Sequence, residues 1–81
     1  MKATVLIRPK QGILDPQGEA VGEALRTLGF AVTGARVGRL VDVQLDTDDP
    51  AEARAALESM ARDLLANPLI ESFAVELEGY A

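Results

Sequence analysis

The chain has 81 residues and a mass of 8.6 kDa, with 13 acidic against 8 basic side chains, a net charge of -5 and a pI of about 4.5. It contains neither Cys nor His, which excludes a disulfide framework, a thiol nucleophile, a thiolate zinc site and the usual neutral-pH acid–base group. The acidic balance argues against a nucleic-acid partner, and no apolar run approaches the ~18 residues of a membrane helix.

These properties read as one small domain over residues 1–81. Met1-Lys2-Ala3-Thr4 leads straight into a strand pattern rather than a signal peptide, so a cytoplasmic protein is expected. The only aromatic residues are Phe30, Phe73 and Tyr80, so the core is aliphatic and thin. A domain this size hides only about 60% of its unfolded surface, which makes support from oligomer contacts an expectation from the start.

Lys2 to Arg8 alternates, with Ala3, Val5 and Ile7 on one side and Thr4, Leu6 and Arg8 on the other, as in a strand covered on one face. After the loop from Lys10 to Leu14, Asp15-Pro16 supplies an N-cap and a proline at the first helical position. Val21, Ala24, Leu25 and Leu28 then form one apolar stripe, and Gly29 provides the left-handed stop, predicting a helix over Pro16 to Leu28. Phe30 to Val37 reads as a second, weaker strand interrupted by Gly34. Gly38-Arg39 reads as a hairpin tip of uncertain register, and Leu40 to Asp46 as a clear strand with Val41, Val43 and Leu45 inward.

Asp49-Pro50 repeats the helix start, and Ala53, Ala56, Leu57, Met60 and Leu64 repeat the stripe, ending near Ala66 before Asn67-Pro68. Glu58 four residues before Arg62 adds weak support. Glu71 to Glu78 forms a last strand with Phe73, Val75 and Leu77 inward. The order βαββαβ predicts an α+β, ferredoxin-like fold with two helices on one face of a four-stranded antiparallel sheet. The other face has no cover within the chain. Leu6, Val32, Arg36 and Leu40 are therefore the candidate self-association face, and a second copy is its natural cover.

Reactive chemistry is sparse. Asp46-Thr47-Asp48-Asp49 lacks the glycine and distal Glu of a calcium loop and reads as a turn and helix cap. Lys10-Gln11-Gly12 lacks a phosphate-loop spacing, Ser59 and Ser72 have no activating His, and Tyr80 sits beside the C-terminus. The βαββαβ order is shared with RNA-recognition domains, but Leu40 to Asp46 carries none of their stacking aromatics. No catalytic, cofactor-binding or metal residue is assigned. Six basic against three acidic residues in 1–40, and two against ten in 41–81, make the halves opposite in charge. That asymmetry serves solvation and can also steer association.

Gly12-Ile13-Leu14-Asp15-Pro16-Gln17-Gly18, Val37-Gly38-Arg39 and Leu64-Leu65-Ala66-Asn67-Pro68-Leu69-Ile70-Glu71, in that order and in a chain of this length, resemble the PurS family. PurS is the small subunit of phosphoribosylformylglycinamidine (FGAM) synthase. This family often has Lys and an aromatic where this chain has Arg39 and Leu40. The resemblance implies a non-catalytic subunit of purine biosynthesis that joins the glutaminase PurQ to the synthetase PurL and assists ammonia transfer. It implies self-association as a dimer or tetramer, no cofactor in this chain, and ATP and Mg²⁺ in the synthetase partner. Exposed loops on a rigid scaffold commonly carry recognition, so Gln11, Gly12, Gly38, Arg39, Asn67 and Pro68 are the candidate contacts with the larger subunits. The competing reading is a regulatory module resembling ACT domains, which share the strand and helix order and bind amino acids at dimer interfaces.

Overall fold

In the computed structural model, which describes residues 1–78, three strands and two helices are formed. Strand β1 spans Lys2–Pro9, helix α1 Pro16–Thr27, strand β2 Arg39–Gln44, helix α2 Pro50–Met60 and strand β3 Glu71–Leu77. The sheet order is β2-β1-β3, with β1 antiparallel to both neighbours. Tyr80 lies outside the described residues. No helix among them is long and apolar enough to cross a membrane.

The strand alternation works as the sequence predicts. Ala3, Val5 and Ile7 are buried at 4%, 0% and 1% exposure, against Ala53, Leu57 and Ala61 of α2 and its extension. Val41, Val43, Leu45, Phe73 and Val75 flank that core half-buried. Both helix starts also form as expected. Asp15 Oδ1 accepts from the Gly18 N–H at 2.9 Å and Asp49 Oδ1 from the Ala51 N–H at 3.0 Å, satisfying amides that the first helical turn leaves without partners.

Three features differ from expectation. The helix after Asp49 becomes a π-helical turn over Ala61–Leu65, closed by a bond from the Ala66 N–H to the Ala61 carbonyl at 2.9 Å. The wider turn advances the apolar phase by one residue. Leu64, predicted to face inward, is 84% exposed, while Leu65 is half-buried and Ala66 buried.

Secondly, Phe30 to Val37 forms no strand, so the sheet has three strands rather than four. The expected hairpin tip is absent as well, because the backbone runs through Gly38 into β2 without a turn. A Cβ at Gly38 would collide with the Ile7 carbonyl oxygen, so the chain lies flush against β1 there.

Thirdly, α1 does not cover the sheet. Its buried residues are Gly18 and Gly22, and Val21 and Leu28 are exposed. The bare glycines let the return segment come close: a Cβ at Gly18 would sit 2.5 Å from the Ala35 carbonyl oxygen. α1 and residues 30–37 thus form an arm standing off the sheet. The extents are 47 × 27 × 15 Å, and the radius of gyration is 15.6 Å, where a compact chain of this length would have about 12 Å.

Candidate functional site

β1 ends, and β2 and β3 begin, at the same end of the sheet, which gathers three loops that are distant in sequence. These are residues 10–15, residues 36–38 and residues 66–70. Polar bonds lock them together. Lys10 donates from its backbone N–H to the Ile70 carbonyl at 2.8 Å and from Nζ to the Pro68 carbonyl at 2.7 Å. Arg36 Nη2 donates to the carbonyls of Pro9 and Lys10 at 2.9 and 2.7 Å.

Asp15 joins the first two loops. Its Oδ2 accepts from the Val37 N–H at 2.9 Å while Oδ1 caps α1. The Val37 and Gly18 amides, with the nearby Arg36 cation, hold its carboxyl below the ordinary value of 3.8.

Arg39 joins the second and third loops. Nη1 and Nη2 meet Glu71 Oε2 and Oε1 at 2.7 and 2.9 Å, and Nη2 also donates to the Leu65 carbonyl at 2.8 Å. This carbonyl belongs to the last residue of the helical stretch, an end where cationic side chains are favoured. Glu71 Oε1 accepts in addition from the Asn67 N–H at 2.8 Å. The Arg39 guanidinium and the Asn67 amide together hold the Glu71 carboxyl below its ordinary 4.5, and Glu71 pushes Arg39 upward.

Of the six loop residues singled out from sequence, Gln11, Gly12, Gly38, Asn67 and Pro68 are exposed around this cluster, and Arg39 is half free with its guanidinium engaged. Gly12 takes a φ of +84°, which favours glycine in that bend. Leu14 and Leu69 stand out at 73% and 82% exposure. Glu71, Lys10 and the Leu65 carbonyl were not among the sequence candidates. Their partners are set by strand register, which pairs Ile7 with Arg39 and Pro9 with Glu71, and no local motif reports that.

The four residues of the proposed self-association face divide. Leu6 and Leu40 are direct cross-strand partners on the uncovered sheet face. Arg36 lines a hollow of about 270 Å³ with both of them, and Val32 lies out on the arm, its carbonyl accepting from Arg26 Nη1 at 3.2 Å. Towards the other end of that face, Thr4 Oγ1 donates to Asp42 Oδ1 at 2.8 Å. Ser59 and Ser72 are exposed, and no group of three or more Asp or Glu among the described residues is arranged to hold a metal.

This geometry is that of an open-faced α+β domain with a projecting arm and a rigid, cross-linked loop end. A family model described as PurS: Phosphoribosylformylglycinamidine (FGAM) synthase matches residues 2–79. The PurS subunit of FGAM synthase from Methanocaldococcus jannaschii is 33% identical over 78 residues, covering 95% of this chain and 94% of its own length. The structure of Thermus thermophilus PurS superimposes with a TM-score of 0.81 at 39% identity, over 94% of each chain. A chain in the structure of PurLQS from Thermotoga maritima shares the fold, with a TM-score of 0.85 at 24% identity over 93% of each chain. The chain belongs to the PurS family of FGAM synthase subunits, and the ACT-like alternative receives no support.

Proposed function

We propose that the chain acts as the scaffold of an FGAM synthase complex, bridging a PurQ glutaminase and a PurL synthetase, with the cross-linked loop end as its docking surface. The observation that carries this reading is that three loops from separate elements are fastened into one body while their tips stay exposed. A surface already ordered loses little conformational entropy on binding, which leaves more of the contact energy for affinity. Gln11, Gly12 and Gly38 offer backbone groups, Asn67 and Pro68 a rigid turn, and Leu14 and Leu69 apolar anchors.

The chemistry belongs to the larger subunits. The glutaminase releases ammonia, and the synthetase, with ATP and Mg²⁺, installs it. In bulk water ammonia is lost to protonation and diffusion, so a subunit that holds the two sites in fixed relation raises transfer by proximity alone. The setting is cytoplasmic. The Leu6–Leu40 face associates copies of the chain, whereas a four-stranded ferredoxin-like sheet requires a further strand at the free edge of β2.

Size-exclusion chromatography of purified PurL and PurQ with this chain tests the docking surface. The three should co-elute, and Gln11→Trp or Pro68→Trp, both at exposed positions, should release the larger subunits while the fold of the chain is kept. Co-elution unchanged by both substitutions would overturn the assignment of the loop end.

A further inference from the structure

β3 is an outer strand of the sheet, paired only with β1. Its free edge carries none of the devices that blunt such edges: no proline, no lysine and no break in register from Glu71 to Leu77. Two bonds fix which backbone groups face outward. The Glu78 N–H donates to the Lys2 carbonyl at 3.0 Å, and the Lys10 N–H to the Ile70 carbonyl at 2.8 Å. Even-numbered residues of β3 therefore turn their N–H and C=O groups to β1, and odd-numbered ones turn theirs to the open edge. The Glu71 N–H is met by the Asn67 carbonyl, whereas no other described segment meets the outward groups of Phe73 and Val75.

The two sides of this edge differ in chemistry. On the helix-facing side, a hollow of about 370 Å³ opens between Arg62, Ala66 and the half-buried Phe73. On the outer side, Ser72, Ala74, Glu76 and Glu78 are all exposed. There a larger hollow of about 580 Å³ sets Glu76, Glu78 and Asp42 around one cation, Lys2, and none of the three forms an ion pair with it among the described residues.

We infer that β3 takes on a further strand from another protein, an extended antiparallel segment in which apolar and basic residues alternate. Residues opposite Phe73 and Val75 exchange main-chain hydrogen bonds with them and turn apolar side chains to the helix-facing hollow. Residues opposite Ala74 and Glu76 point to the outer side, where Lys or Arg meets Glu76 and Glu78. Antiparallel pairing continues the pattern of the sheet and is the more stable arrangement per residue. The occupant is a foreign segment, because β3 of a second copy would bring only further carboxylates and no cation to this strip. The inference stands apart from which larger subunits meet the loop end.

The probe is the peptide acetyl-Val-Lys-Val-Lys-Val-Lys-amide, titrated into the isotopically labelled full chain and followed by NMR. The same peptide with Glu for Lys is the control. The amide signals of Phe73 and Val75 should move saturably with the lysine peptide and stay in place with the glutamate peptide. Equal shifts with both, or shifts confined to other parts of the chain, overturn the proposal. Glu76→Lys should weaken the lysine peptide about tenfold, and unchanged affinity would contradict the assigned side. Val75→Pro removes one outward N–H and leaves the ladder to β1 complete, so it should abolish the shift at Phe73. If that variant does not fold, the lysine peptide N-methylated at each Val serves with the parent chain, since it has lost the donors that face β3; binding as tight as the parent peptide's would contradict the pairing. A lower mass of folded Val75→Pro in light scattering would show that a second copy holds the edge, and would overturn the foreign occupant.

Discussion

Arg39 and Glu71 stand 32 positions apart, yet their side chains meet through two parallel bonds of 2.7 and 2.9 Å, with the Glu71 side chain only 13% exposed. Each also holds a backbone group of the last helical turn or the loop after it, Leu65 and Asn67 respectively. The pair is therefore a clasp between two sheet strands and the loop that joins α2 to β3.

Breaking the clasp should loosen the loop end as a whole. Arg39→Met and Glu71→Gln are each expected to lower Tm by several degrees, and the double variant by clearly less than the two effects added. Arg39→Lys should not rescue, because an ammonium on a flexible stem cannot serve both carboxylate oxygens and the Leu65 carbonyl in one plane. Thermal unfolding followed by circular dichroism checks all four variants.

Acid should weaken the same end of the molecule. Asp15 and Glu71 are both held below their ordinary values of 3.8 and 4.5 in the folded chain, so near those values the unfolded chain binds more protons and stability rises with pH. Their contribution is complete above the ordinary values and is lost as pH falls through the lower, folded-state values. Urea midpoints measured from pH 6 down to about 2.5 should fall steeply in the parent chain and less steeply in Asp15→Asn/Glu71→Gln.

The π-helical turn makes two leucines of one helical stretch energetically unequal. Leu57 is fully buried and Leu64 is 84% exposed. Leu57→Ala should destabilise the chain by roughly 2–5 kcal/mol through lost burial and the cavity left behind. Leu64→Glu should stay within about 0.5 kcal/mol of the parent. Urea denaturation separates the two, and equal losses would place Leu64 in the core after all.

On the uncovered sheet face, Leu6→Asp or Leu40→Asp puts a carboxylate beside its apolar cross-strand partner and beneath any second sheet. Both should lower the mass in multi-angle light scattering without loss of helical signal.

Much of this architecture is legible in the chain because capping and alternation are local. Asp15-Pro16 and Asp49-Pro50 mark both helix starts, and Ala3, Val5 and Ile7 declare the buried side of β1. The features that escape are those in which the partner of a residue is decided elsewhere. The stripe through Val21, Leu25 and Leu28 shows that α1 wants cover but is silent on which chain supplies it. The alternation through Phe30 to Val37 suits a strand, but no neighbour in the sheet pairs with it. Leu64 and Leu65 are equally apolar, so a one-residue phase shift leaves no mark in the pattern, and the Arg39–Glu71 clasp follows only once β1 sets the register of both its neighbours. The loop tips at Gln11, Gly12, Asn67 and Pro68 were readable as turns, whereas the bonds from Lys10 and Arg36 that join them are long-range.

The central claim is that the chain works by holding other subunits in place. Its most direct test is the rate of glutamine-dependent FGAM formation by purified PurL and PurQ, with and without this chain, alongside the rate with free ammonium as nitrogen donor. The chain should raise the glutamine-dependent rate strongly and leave the ammonium-dependent rate nearly unchanged. Equal glutamine-dependent rates in its presence and absence would contradict the account.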